Sequence, residues 1–150
     1  MPYDDLRKGR FSETNRAYFV TCNLADRKTC LFSDFKIARL LIAEMKRLHD
    51  EGDVFSFAWV IMPDHLHWLF QLQGQKSLVE VMKTLKARSA RKTNLFLGRT
   101  GSLWQKAYYD HALREQEDVR EIARYIAANP LRAGLVDNIG NYPHWDAMWL

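Results

Sequence analysis

The spacing of apolar positions divides the chain into seven elements. Tyr18 to Leu24 is rich in β-formers and predicts a strand. Ser33 is placed to cap a helix running to about His49, in which Leu40, Leu41, Met45 and Leu48 recur at helical spacing. Asp50-Glu51-Gly52-Asp53 ends it. Val54 to Met62 predicts a second strand, with Phe55, Phe57, Trp59 and Ile61 on one face. Pro63-Asp64 breaks that strand, because proline cannot continue a ladder and aspartate favours turns. His65 to Leu72 then alternates as a third strand, hairpinned to the second and closed by Gln73-Gly74-Gln75.

Ser77 and Glu80 form an S-x-x-E capping box that opens a long helix. Leu78, Met82, Leu85 and Phe96 share one side of it, with Lys76, Lys83 and Arg91 roughly opposite, flanked by Lys86 and Arg88. Gly98 and Gly101 mark a loop. Trp104 to Leu113 predicts a fourth strand. A last helix runs from near Asp118 to about Ala128, where Asn129-Pro130 stops it, since the residue before proline avoids the helical region. The tail from Asp137 to Leu150 reads as irregular but packed down. The order β-α-β-β-α-β-α predicts an α+β fold, a ferredoxin-like βαββαβ antiparallel sheet with one added C-terminal helix.

No repeat, low-complexity tract or linker interrupts the 150 residues, so one domain spanning 1–150 is expected. A composition of 47% hydrophobic and 27% charged residues is that of a globular protein and excludes disorder or a disulfide scaffold. No apolar run approaches the ~20 residues of a spanning helix, and the first residues show no apolar signal segment. Cys22 and Cys30 lack metal-ligand spacing and read as reduced thiols of a cytoplasmic protein. Charge distribution says more than net charge. Lys76, Lys83, Lys86, Arg88, Arg91, Lys92, Arg99 and Lys106 stand against Glu80 alone, giving this window +7 and leaving −3 for the rest of a chain of net charge +4. Seven unopposed charges in one segment suit a polyanion, most simply nucleic acid.

Three groups of residues can carry chemistry. On a strand, His65 and His67 point to the same side, close enough to share a metal ion, while Leu66, Trp68, Phe70 and Leu72 face the core. H-x-H alone is short, and the chain lacks the cysteines of a structural zinc site. Tyr125 sits at the edge of the apolar stripe set by Val119, Ile122 and Ile126, with Asn129 four residues on. Tyrosine is a competent nucleophile towards phosphate, and the asparagine amide oxygen is a hard ligand of the kind Mg²⁺ or Mn²⁺ accepts. In Tyr108-Tyr109-Asp110-His111, either tyrosine is a possible nucleophile and His111 a possible general base or a group supporting the metal ligands.

Together these pieces resemble a known family. Trp59-Val60-Ile61-Met62-Pro63-Asp64-His65-Leu66-His67 is similar to the W-V-x-M-P-N/D-H-x-H signature of bacterial REP-associated tyrosine transposases, members of the single-tyrosine HUH nuclease superfamily. Tyr18-Phe19-Val20-Thr21, Trp104-Gln105 with Tyr108-Tyr109-Asp110-His111-Ala112-Leu113-Arg114, and the run Tyr125 to Val136 (YIAANPLRAGLV) match in the same order, from about residue 18 to 136.

The resemblance implies a metal-dependent single-stranded DNA endonuclease and strand transferase acting at palindromic hairpins. It implies that His65, His67 and Asn129 hold a divalent metal, Mg²⁺ or Mn²⁺, and that Tyr125 forms a 5′-phosphotyrosine. Some relatives use glutamine where this chain has Asn129. The partner it implies is a single-stranded DNA hairpin, bound by a monomer or homodimer. Charge alone offers the Lys76–Lys106 window for its phosphates, and Arg7, Lys8, Arg10 and Arg16 for its foot. Two other readings stand beside it: a non-catalytic module binding hairpin DNA or RNA on the same fold, and a metal-dependent hydrolase using His65, His67 and Asp64 with water as nucleophile.

Overall fold

The structure is a computed structural model and describes residues 16–114, 119–138 and 141–147. Five strands form one antiparallel sheet in the order β4-β1-β3-β2-β5. They are β1 (Ala17–Asn23), β2 (Val54–Met62), β3 (His65–Leu72), β4 (Tyr109–Ala112) and β5 (Trp145–Ala147). The first four, in the order 4-1-3-2, are the ferredoxin-like sheet that the element order predicts. Helices α1 (Phe35–Asp50) and α2 (Leu78–Leu97) lie together on one face. Helix α3 (Val119–Ala127), followed by the single turn α4 (Asn129–Arg132), lies on the other.

The alternation of β3 builds two cores at once. Leu66, Trp68, Phe70 and Leu72 are fully buried against Ile37, Leu41, Met45 and Leu48 of α1 and Leu78, Met82 and Leu85 of α2. Leu69 points the other way, into a smaller core with Ala58, Val60, Met62, Ala123 and Ile126. His65 and His67 therefore share the side of the sheet that α3 covers.

Several features depart from the sequence reading. Asp34, not Ser33, caps α1: its carboxylate accepts from the Lys36 and Ile37 amides at 2.8 and 3.3 Å, and Ser33 belongs to a preceding 3₁₀ turn. A bulge between Ser56 and Ala58 inserts Phe57 into β2 and reverses its alternation. Phe57 joins the smaller core, whereas Trp59 and Ile61 join the larger, so the four residues do not share a face. Residues 104–108 are not a strand beyond one bridge, Leu24 to Trp104, because the Lys86 ammonium draws in the carbonyls of Gln105, Lys106 and Ala107. The tail supplies β5, pinned to β2 where Tyr142 Oη donates to the Ile61 carbonyl at 2.6 Å and Ile61 N donates to the His144 carbonyl at 2.9 Å.

The capping box holds as the sequence predicts. Ser77 Oγ accepts from the Glu80 amide, and Glu80 Oε1 accepts from the Ser77 amide, both at 3.2 Å. Ser77→Ala is expected to lower stability by about 1 kcal/mol, read as a lower urea midpoint at unchanged slope. Phe96, placed by its spacing on the buried side of α2, is half exposed.

Candidate active site and nucleic-acid surface

His65 and His67 stand side by side with ring centroids 4.7 Å apart and planes at 79°. Each ring is fixed through Nδ1. His65 Nδ1 lies 2.7 Å from Asp64 Oδ1, and His67 Nδ1 lies 2.8 Å from Thr21 Oγ1. Thr21 is opposite His67 in the β1–β3 register, so an ordinary ladder pairing delivers this contact. With each Nδ1–H donating, both Nε2 lone pairs are free, the tautomer that a metal-ligating histidine needs. Phe19 packs edge-on against His67 at 5.5 Å and keeps its ring upright.

The Asp64 carboxylate is also held by Arg27, whose Nε donates to Oδ2 at 2.7 Å. Burial alone raises the Asp64 carboxyl, but the hydrogen bonds from Arg27 and His65, with their charges, outweigh it and keep the group below the usual carboxylate range. Both Asp64 oxygens are thus committed, one to His65 and one to Arg27. Asp64 is thereby placed to orient the His65 ring, with neither oxygen turned to the space between the imidazoles.

His67 is pushed down to about 4, first by burial, then by the neighbouring His65 and by the charge of Arg132. The unfolded chain protonates this histidine below about pH 6.5, whereas the folded protein resists protonation until about pH 4. Between those values the unfolded state binds more protons, so stability falls as pH falls through the window, by at most about 3 kcal/mol. Urea midpoints at pH 7 and pH 4.5 test this. The drop is expected to be smaller in His67→Gln, and equal drops in both proteins would contradict the assignment.

Helix α3 carries Tyr125 on this side of the sheet. Ala123, Ile126 and Ala127 are buried, Val119 and Ile122 are partly so, and Tyr125 at the edge of that stripe is 54% exposed. Asn129-Pro130 does not stop the helix. It interrupts it: Ala128 keeps helical angles, Pro130 sits in the first turn of α4, and the chain completes one more turn before Gly134 turns away at φ +73°. That turn returns Arg132 to Tyr125. Arg132 Nη2 donates to the Tyr125 carbonyl at 2.7 Å, and its guanidinium lies 3.9 Å from the centre of the Tyr125 ring. Such an exposed cation–π contact contributes only about 0.5–1 kcal/mol, so the helical backbone and the buried stripe, not this stack, hold α4 in place.

His111 is on β4 opposite Phe19, on the same sheet face as His67 but separated from it by β1. The Nδ1 atoms of the histidine pair go instead to Asp64 and Thr21. Sequence reading missed Thr21 in this role and read Asp64 as a turn residue or as a group of a water-using hydrolase, not as the partner of the His65 ring. The signal for Arg132, seven residues or two helical turns after Tyr125, was hidden by ending the helix at Asn129.

The basic window is less unopposed than its sequence implies. Lys76 pairs with Asp53 at 3.0 Å, Arg88 with Glu51 at 3.0 Å, and Lys92 with the buried Glu44. These acids belong to α1 and the turn after it, so much of the +7 is cancelled across the packed helix pair. Lys86 is spent on loop carbonyls and on the Tyr108 ring, 5.1 Å away. Lys83, Arg91, Arg99 and Lys106 have no carboxylate partner among the described residues. Lys83, Lys86, Trp104, Lys106 and Tyr108 border an open groove of about 470 Å³ between α2 and the 102–108 loop. Arg16 donates Nε to the Leu113 carbonyl at 3.0 Å, at the end of β1 away from His65. Arg7, Lys8 and Arg10 lie outside the described residues.

A ferredoxin-like sheet with paired imidazoles on one face and a tyrosine-bearing helix packed on that face is compatible with one class of protein, the tyrosine transposases. Residues 14–129 match the family described as "Transposase IS200 like", and the chain belongs to it. It is 27% identical over 128 residues to the REP-associated tyrosine transposase of Escherichia coli K12, covering 84% of this chain and 73% of that one. Its fold is that of a REP-associated tyrosine transposase solved bound to a REP hairpin, with a TM-score of 0.74 at 22% identity, covering 91% of this chain and 79% of the other. Among the described residues no helix is long and apolar enough to cross a membrane.

Proposed function

We propose that the protein is a metal-dependent single-stranded DNA endonuclease and strand transferase that acts at palindromic hairpins through a phosphotyrosine intermediate. The observation that carries this reading is the pair of histidines on the α3 side of the sheet. Each is anchored through Nδ1 to a side-chain partner, which leaves both Nε2 atoms available on rings whose centres are 4.7 Å apart.

The donor set fits a hard divalent cation such as Mg²⁺ or Mn²⁺ that keeps open positions. No group of three or more His, Cys, Asp or Glu that could hold a metal occurs among the described residues. The histidines would therefore be completed by oxygen donors, with the Asn129 amide as the protein's own. A cation held there polarises the scissile phosphate and offsets its charge. Tyr125 Oη attacks phosphorus, the P–O3′ bond breaks, the tyrosine is left joined to the 5′-phosphate, and a 3′-OH is freed. The hydroxyl proton passes to solvent and the departing 3′-oxygen takes one up. The phosphotyrosine conserves the bond, so a 3′-OH reverses the reaction without ATP. The groove bordered by Lys83 and Lys106 takes phosphates of the hairpin stem.

The test is incubation of the protein with Mg²⁺ or Mn²⁺ and labelled hairpin oligonucleotides from repeats flanking its own gene. The expected product is a denaturant-resistant protein–DNA band that requires metal. Binding without any such band, across several hairpins and both metals, would instead favour a non-catalytic hairpin-binding module.

A further inference from the structure

Resting on that reading, we infer that Arg132 is a catalytic residue, the protein's own cation for the scissile phosphate. Three observations converge on it. Its guanidinium carbon stands 3.9 Å from the centre of the Tyr125 ring, and Nη2 is tied to the backbone carbonyl of the same tyrosine at 2.7 Å. It is exposed, and no carboxylate among the described residues pairs with it. It is carried by the turn Asn129–Arg132, in which the chain keeps helical geometry through Pro130.

An arginine in a structural role normally spends its planar fork on a carboxylate or on several carbonyls. Arg132 spends one nitrogen on one carbonyl and leaves the others open towards the space beside Tyr125. When Tyr125 Oη bonds to phosphorus, the nonbridging oxygens gain charge in that space. A guanidinium already held against the attacking ring meets those oxygens with no reorganisation, and its donors match two of them at once. The P–O3′ bond then breaks as before, and the arginine exchanges no atom or proton.

The experiment compares single-turnover cleavage by wild type, Arg132→Gln and Arg132→Lys, with the scissile link either a phosphodiester or a methylphosphonate. The methylphosphonate replaces one nonbridging oxygen by methyl and removes its charge. Arg132→Gln is expected to lose about 10²-fold or more on the phosphodiester and to recover most of that loss, relative to wild type, on the neutral link. Arg132→Lys is expected to fall between, keeping charge but not the two-point fit. Circular dichroism and hairpin affinity should match wild type in both variants. A variant that cleaves at wild-type speed, or gains nothing from the neutral link, overturns the inference. A wild type that forms no covalent product fails the parent reading instead.

Discussion

Tyr125→Phe is expected to abolish the covalent protein–DNA product while leaving hairpin binding nearly unchanged. The substitution removes one oxygen from a side chain that is already half exposed, and the buried stripe formed by Ala123, Ile126 and Ala127 does not include it. The ring that Arg132 stacks on is retained, as is the Tyr125 carbonyl that Arg132 grips. Stability should therefore shift by less than about 0.5 kcal/mol, as for a surface change. Cleavage should fall below detection, a loss of at least about 10³-fold, because no other atom on that helix edge can bond to phosphorus. A denaturing gel with labelled hairpin reads the product, and a gel-shift at matched salt reads binding. Residual covalent product would direct attention to Tyr109, which is 62% exposed and lies in the same row across the sheet as Thr21 and His67.

The second large effect is expected at the histidine pair. His65→Ala and His67→Ala should each abolish metal-dependent cleavage, and chelation of wild type should do the same. Neither ring is deeply structural, but the two should differ in secondary cost. His67 is the more enclosed, bonded to Thr21 and packed on Phe19, so its loss opens a gap in the β1–β3 ladder face. His65 is bonded to Asp64 alone among side chains, and its removal leaves Asp64 still paired with Arg27. Isothermal titration with Mn²⁺ should show binding to wild type in the presence of hairpin and none to either alanine variant. Asp64→Asn and Thr21→Val should weaken Mn²⁺ binding by about 10–100-fold, since they release a ligand ring rather than delete it. Wild-type Mn²⁺ affinity in His65→Ala would place the metal elsewhere.

These tests bear on residues of two kinds. The sequence by itself determined the strand alternation, and with it the fact that His65 and His67 share a face while Leu66, Trp68 and Phe70 build the core. That conclusion needs only the period of two, which backbone geometry fixes locally. It also determined the capping box at Ser77 and Glu80, the ferredoxin-like order of elements, and the placement of Tyr125 at the edge of an apolar stripe, because each rests on neighbours within a few residues.

What tertiary structure decided depends on contacts between distant segments. A one-residue bulge at Phe57 moved Trp59 and Ile61 to the other core, and no local signal marks it. Lys86, read as a surface charge, pulled three carbonyls out of what spacing made a strand. Lys76, Arg88 and Lys92 lost their apparent excess charge to Asp53, Glu51 and Glu44, acids that lie 23 to 48 residues away in sequence and adjacent in space. Thr21 became the anchor of His67 only through pairing with a strand 46 residues on. Arg132 reached Tyr125 because Pro130 opens a new helical turn, α4, in a first-turn position that proline suits, rather than ending the chain's helical course. Period and propensity are properties of short stretches, whereas charge pairing, the tautomer of a histidine and the neighbour of a nucleophile are set by which surfaces the fold brings together.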